Sequence, residues 1–128
     1  MPPFSDAVME LFHNPRNVGT LEPPRGEGLA GSVQRGVFMR IHVRAEGGLV
    51  QAARFSTYGC VPAIAAGSWV ASWAEGRAVD DAGSLEPKAV VEALGGLPPE
   101  RLFCAQLAVD ALRAALAAAS SEAEEKTS

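Results

Sequence analysis

The chain has 128 residues, of which 48% are hydrophobic, and this is enough to bury the core of one domain but not of two. Its 11 Lys and Arg against 15 Asp and Glu give a formal net charge of -4, which excludes the basic surface typical of a nucleic-acid-binding protein. The two cysteines, Cys60 and Cys104, are too few for a disulfide-rich secreted domain, so they are free thiols, a ligand pair or packing residues.

The N-terminal residues lack the basic patch and the apolar run of a signal peptide, so the sequence predicts no signal peptide. Nothing later approaches the roughly 18 consecutive apolar residues of a membrane span. We therefore expect a cytoplasmic protein without a membrane partner.

The first predicted element is a short amphipathic helix from Ser5 to Phe12, which opens on a residue suited to N-capping. The segment Asn14-Pro15-Arg16-Asn17-Val18-Gly19 ends this helix because proline disfavours helical geometry at the residue before it. Prolines and glycines then predict a loop as far as about Gly28.

Alternating apolar and polar residues predict a strand over Val37 to Arg44, and His42 is then expected on its solvated face. A glycine pair at 47–48 separates it from a second strand over Leu49 to Thr57. A further strand within Gly28 to Gln34 would complete a three-stranded antiparallel meander.

The second half of the chain is predicted to be helical. Nearly all residues from Pro62 to Ala74 are apolar or small, which is typical of a buried helix. One or two short helices are predicted over residues 80–94. The last helix is predicted over about 101–119, and a flexible acidic tail is predicted over 120–128. One domain is therefore expected over residues 1–119. We attribute the many alanines to base composition and the glycines to turns. The expected apolar stripe of the last helix consists of Leu102, Val109, Leu112 and Leu116.

Both cysteines fall at predicted helix starts. Cys60 precedes the buried helix and Cys104 lies in the first turn of the last one, where unpaired N–H groups and the helix dipole stabilise a thiolate. The alternative is that they are ordinary buried packing residues, and position alone does not decide between the two. His13 and His42 are interpreted as turn and surface residues rather than as ligands. No catalytic set of residues stands out, so we expect a carrier and not an enzyme.

Three segments of the chain form a pattern when they are taken in order. The segments are Asn14-Pro15-Arg16-Asn17-Val18-Gly19, then Ala53-Arg54-Phe55-Ser56-Thr57-Tyr58-Gly59-Cys60 with Ala63-Ile64-Ala65, then Leu97-Pro98-Pro99 leading to Cys104, Leu107-Ala108 and Asp110-Ala111. Together they resemble the IscU/NifU N-terminal family of iron–sulfur cluster assembly scaffolds, and the resemblance extends over about residues 5–119.

The resemblance implies an α+β fold with a three-stranded antiparallel sheet packed against helices. It also implies a site in which three cysteines, an Asp and in many members a His hold a nascent cluster or a zinc ion. Sulfur comes from a cysteine desulfurase as a persulfide. Cys60 matches the second family cysteine and Cys104 the third, the usual sulfur acceptor, so both are the expected cluster and metal ligands.

The chain departs from the family pattern at the other ligands. Val33-Gln34-Arg35 stands where the family has Cys-Gly-Asp, and Phe103 stands where many members have the His. Two of four ligands remain, which is too few for a zinc site within one chain. A transient iron–sulfur cluster bridged across a homodimer would receive two thiolates from each subunit.

The segment Leu97-Pro98-Pro99 resembles a docking motif for an Hsp70-type chaperone, with Glu100-Arg101 in place of the usual Val-Lys. The alternative, which we weight more heavily, is that the prolines simply end one helix before the next. Three functions remain open, and we rank an assembly scaffold first. The second is a paralogue that binds no metal and acts as an adaptor of a desulfurase or of a true scaffold. The third is a persulfide carrier through Cys104, in which Arg35 stabilises anionic sulfur.

Overall fold

The computed structural model describes residues 4–32, 34 and 36–127, and from 121 onward only the backbone. Val33 and Arg35 lie outside the described residues. In chain order, the helices and strands are α1 (Asp6–His13), β1 (Gly26–Ser32), β2 (Val37–Glu46), β3 (Leu49–Tyr58), α2 (Val61–Ala74), α3 (Val79–Gly83), α4 (Pro87–Ala93) and α5 (Leu102–Thr127), with a 3-10 turn over Pro99–Arg101 directly before α5.

The three strands form one antiparallel sheet in the order β1-β2-β3. Ile41 of β2 lies between Gly28 of β1 and Phe55 of β3, and the alternation along β2 sends Met39, Ile41 and Val43 into the core. The predicted α+β fold with an antiparallel meander is confirmed, including the strand expected between Gly28 and Gln34, which begins at Gly26.

Two glycines of β1 lie directly against the backbone of α5. A Cβ atom at Gly28 would overlap the Ala111 carbonyl oxygen, and one at Gly26 would overlap the Ala115 carbonyl oxygen. Helix and strand approach this closely because small residues line both sides of the contact. The interpretation of glycines as turn residues and of alanines as base composition is therefore wrong here, since both residue types form the contact between sheet and helix.

His42 is buried, and the expectation that it lies on a solvated face is wrong. The backbone N–H of Leu21 donates to its Nδ1 atom at 3.0 Å, and its Nε2 atom contacts Glu27 Oε2 at 2.8 Å. Hydrogen bonding to His42 is the main cause that lowers the pKa of Glu27. Strand periodicity placed His42 on the correct face of β2, but the loop before β1 covers that face at His42.

The edge of β3 that does not pair with β2 is covered by the segment after α1. The Phe55 N–H donates to the Asn17 carbonyl at 2.8 Å, and the Gly19 N–H donates to the Phe55 carbonyl at 2.8 Å. The Asn17 side chain donates to the Ala53 carbonyl, while Glu75 accepts from the Ala53 N–H, both at 3.0 Å. These contacts satisfy backbone groups that would otherwise be open to pairing with another chain.

Glu75 makes the stability of this edge dependent on pH. Burial alone raises its pKa, but hydrogen bonds from Ala53, Asn17 and Arg54 outweigh burial and lower the pKa below the ordinary 4.5. The stabilisation is therefore present above pH 4.5 and is lost as the pH falls through the lower pKa of the folded state.

We expect Glu75→Gln to reduce the free energy of unfolding by about 1 kcal/mol at pH 7 and by less as the pH falls below 4.5. Urea titrations at several pH values measure this, with exposed Glu92→Gln as the control; a difference independent of pH would contradict it.

Helix α2 is buried against the sheet, as its apolar composition predicts. Ser68 is a buried polar residue of this helix, and it holds the segment after α1. Its hydroxyl accepts from the Arg16 N–H at 2.6 Å and donates to the Arg16 carbonyl at 3.1 Å. The Asn-Pro-Arg-Asn segment is thus fixed to both α2 and β3.

Helix α5 differs from its prediction at both ends. Leu102 is 45% exposed and does not belong to the apolar stripe. At the other end the helix continues to Thr127, past the predicted end near Ala119, through residues that favour helix such as Ala and Glu. The segment Pro99–Ser120 is long and apolar enough to cross a membrane by length and composition, but half of its most apolar stretch is buried inside the domain. Packing against the sheet therefore accounts for much of its apolar character.

Candidate functional site

Cys60 is the N-cap residue of α2, where the sequence predicts it. Its backbone is extended, and its carbonyl accepts from the N–H groups of Ala63 and Ile64 at 3.1 and 3.2 Å. The side chain makes no capping hydrogen bond and is half-buried. The thiol therefore lies at the start of α2 on a residue that is partly exposed.

Cys104 is fully buried in the hydrophobic core. Burial raises the pKa of its thiol to about 12, Cys60 adds to the increase, and Arg101 opposes it. The expected thiolate stabilisation at the helix start is wrong for this residue. The reason is burial, which disfavours the charged thiolate although Cys104 lies in the first turn of α5.

The two thiols, which lie 44 positions apart in the chain, meet at one place in the fold. The Cys60 and Cys104 Sγ atoms are 3.6 Å apart, within reach of a weak sulfur hydrogen bond, and both cysteines are free. One thiol is accessible and the other lies behind it in the core. This arrangement combines both interpretations of the sequence, because Cys104 is a packing residue and also the neighbour of a reachable thiol.

An open cavity lies in front of Cys60. It is lined by Gly36, Thr57, Tyr58, Gly59, Cys60 and Arg101. Thr57 is oriented by donating its hydroxyl to the Phe38 carbonyl at 2.6 Å, and Tyr58 is 60% exposed. Arg101 brings a positive charge to this cavity, which suits an anionic sulfur species.

The sequence pattern placed Arg101 only beside the Leu97-Pro98-Pro99 segment and did not predict its position in the cavity. The signal was its spacing from Cys104, since residues three apart lie on the same face of a helical segment. In that segment Leu97 packs partly against the core, and Pro99 is exposed. Pro99 also opens the 3-10 turn, as expected of a residue that separates helices.

Neither histidine joins the two thiols, and Phe103, which stands where many family members have a His, has no ligating atom. Phe103 is 41% exposed, and His13 is exposed at the end of α1. His42 has both ring nitrogens engaged by Leu21 and Glu27. Among the described residues, no three His, Cys, Asp or Glu side chains are grouped so that they could hold a metal ion.

Comparison with known proteins shows the family to which the chain belongs. Residues 3–126 match the family model of the NifU-like N terminal domain. The chain belongs to this family. It is 40% identical over 113 residues to the iron–sulfur cluster assembly scaffold protein IscU 1 of Archaeoglobus fulgidus, covering 88% of this chain and 74% of that one. It is also 36% identical over 127 residues to the scaffold protein IscU of Escherichia coli, covering 96% and 98% of the two chains.

Solved structures of NifU-like proteins share the fold. The N-terminal NifU-like protein of Brucella abortus superposes with a TM-score of 0.72 at 16% identity, covering 92% of this chain and 94% of that one. A scaffold protein for the SUF system from Fervidobacterium islandicum gives 0.71 at 14% identity, with 88% and 96% covered. At these identities the likeness supports the α+β architecture alone.

Proposed function

We propose that this member of the NifU-like family is an iron–sulfur cluster assembly scaffold that handles sulfur and a nascent cluster through Cys60 and Cys104. The observation that carries the proposal is the meeting of the two thiols 3.6 Å apart beside an open cavity. Relatives that are 36–40% identical over most of the chain are named as scaffolds of this process. The role is that of a carrier and needs no catalytic residue.

The cluster is cargo in this role, and the donor set limits how it is held. One chain offers two thiols and no third side chain from the described residues. Iron–sulfur clusters and structural zinc both require four protein ligands, so neither fits one chain. Two chains facing each other would supply four thiolates, and we therefore propose that a cluster is bridged across a homodimer.

Sulfur delivery in this proposal requires a cysteine desulfurase as partner, in the cytoplasm. The cavity in front of Cys60 gives an incoming persulfide access to a thiol, and Arg101 lines it. A chaperone of the Hsp70 type would meet the chain near Leu97, Pro98 and Pro99. Of these, Pro99 is exposed and Leu97 and Pro98 are half-buried.

Anaerobic reconstitution tests the scaffold role. Reduced protein incubated with ferrous iron, cysteine and a cysteine desulfurase is expected to develop a cluster chromophore, with iron and labile sulfide migrating with a dimer in gel filtration. Cys60→Ser is expected to lose the chromophore, whereas Ser84→Ala, a change at an exposed residue after α3, is expected to retain it. A parent protein that stays colourless and contains neither iron nor sulfide would contradict the proposal.

A second candidate is an adaptor that binds a desulfurase or a true scaffold without holding metal. The absence of a third ligating side chain beside the thiols, within the described residues, favours it. In this case a Cys60→Ser/Cys104→Ser variant would capture the desulfurase as strongly as the parent does. Loss of capture by the double variant would contradict it.

A further inference from the structure

The two thiols of the site differ in access. Cys60 is half-buried and lines the open cavity, whereas Cys104 is fully buried and is not among the lining residues. Their Sγ atoms are 3.6 Å apart. We propose that Cys60, and not the Cys104 that the family resemblance gives as the sulfur acceptor, accepts sulfane sulfur as a persulfide. In this proposal Cys104 is the resolving thiol, which releases this sulfur as sulfide and leaves a Cys60–Cys104 disulfide. The inference rests on the proposed role in sulfur handling, but not on iron binding.

In the loading step, Cys60 Sγ attacks the outer sulfur of a donor persulfide or of inorganic polysulfide. A bond forms between Cys60 Sγ and that sulfur, and the sulfur–sulfur bond of the donor breaks. The electron pair leaves with the remaining donor sulfur as a thiolate or a shorter polysulfide, and the Cys60 proton passes to that sulfur or to solvent. Access decides which cysteine is loaded, because Cys60 lines the open cavity whereas Cys104 is fully buried.

In the resolving step, Cys104 Sγ attacks Cys60 Sγ, which is now the inner sulfur of the persulfide. The new bond joins the two cysteine sulfurs, and the bond to the outer sulfur breaks. That sulfur leaves with the electron pair as hydrosulfide, and the Cys104 proton passes to it or to solvent. Because burial raises the pKa of the Cys104 thiol to about 12, only a small fraction of it is thiolate at neutral pH. The step therefore depends on the 3.6 Å separation of the two sulfurs and is expected to accelerate as the pH rises. The two cysteine sulfurs are oxidised and the sulfane sulfur is reduced to sulfide, so the step needs no external reductant.

The geometry selects the inner sulfur for attack. Cys104 has Cys60 Sγ as its sulfur neighbour at 3.6 Å, close to the separation of reacting atoms in a near-attack arrangement. The outer sulfur of a persulfide on Cys60 has room in the cavity beside Arg101, whereas the core around Cys104 is filled. Forming a disulfide of about 2 Å from this distance requires side-chain motion of roughly 1.5 Å.

The test uses the full chain, reduced and anaerobic, with inorganic polysulfide as the sulfur donor. After rapid desalting, mass spectrometry is expected to show one added sulfur on the Cys60 peptide. This species should give way to a chain with a Cys60–Cys104 disulfide, while about one sulfide per chain appears in solution. Dithiothreitol should then restore both thiols. Loading on Cys104 first, or sulfide release without the disulfide, would overturn the proposal in the parent protein itself.

Variants separate the two roles. Cys104→Ala is expected to keep the added sulfur on Cys60 and to release sulfide at least about tenfold more slowly than the parent, because the neighbouring nucleophile is gone. Cys60→Ser is expected to take up no sulfur. Release from Cys104→Ala at the parent rate would overturn the resolving role, and circular dichroism verifies that the variants are folded.

The outcome is distinguishable from that of the reconstitution, since neither iron nor a desulfurase takes part. A chain that resolves polysulfide but stays colourless with iron supports this inference and contradicts the scaffold proposal. A chain that assembles a cluster but keeps its persulfide unresolved supports the scaffold role and overturns this inference.

Discussion

Gly28→Ala is expected to lower the free energy of unfolding by roughly 3–5 kcal/mol, a large part of the stability of a domain of this size. The added Cβ would overlap the Ala111 carbonyl oxygen and the Ala115 nitrogen, which are backbone atoms of α5 and cannot move alone. Helix α5 would have to separate from β1. Because α5 carries Cys104, the distance between the two thiols would change as well.

Chemical denaturation followed by circular dichroism measures this effect. Gly83→Ala is the matched control, because its Cβ would meet only Leu116 Cδ1 at 3.9 Å, an ordinary contact, and Gly83 lies in helix α3. We expect the control to change stability by less than about 1 kcal/mol. Equal effects of the two substitutions would contradict the close contact between β1 and α5.

Cys60 is expected to react with iodoacetamide at least about a hundredfold faster than Cys104 in the folded protein at pH 8. Cys60 is half-buried beside the cavity, whereas Cys104 is fully buried and its pKa is raised to about 12. Labelling of Cys104 should also keep rising with pH across the alkaline range, since its thiol stays protonated below that value. Mass spectrometry of peptides taken at timed intervals measures both rates.

Two controls isolate the cause of this difference. In strong denaturant the two cysteines should react at similar rates, because burial is removed. In Cys60→Ser, Cys104 should remain slow, since burial is the largest cause of its raised pKa. Rapid labelling of Cys104 in the folded parent would show that the core around it opens readily.

Much of the fold follows from local patterns. The alternation along β2, the glycine pair before β3 and the apolar character of α2 each depend on neighbouring residues, so they predict elements that the structure contains. The predicted burial of a residue was wrong where it depended on which other segment packs over that residue. His42 lies on the expected face but under a loop, and Leu102 lies in the expected helix but outside its buried side.

For the site, the sequence by itself determined the family, the two remaining thiols and the position of Cys60 at a helix start, because motifs and capping signals are local. Only the tertiary structure decided that the thiols meet at 3.6 Å, that Cys104 is buried, which raises the pKa of its thiol, and that Arg101 lines the cavity. These properties arise from the packing of α5 against the sheet and α2. That packing depends on contacts between residues far apart in the chain, such as Gly28 with Ala111, which no local pattern reports.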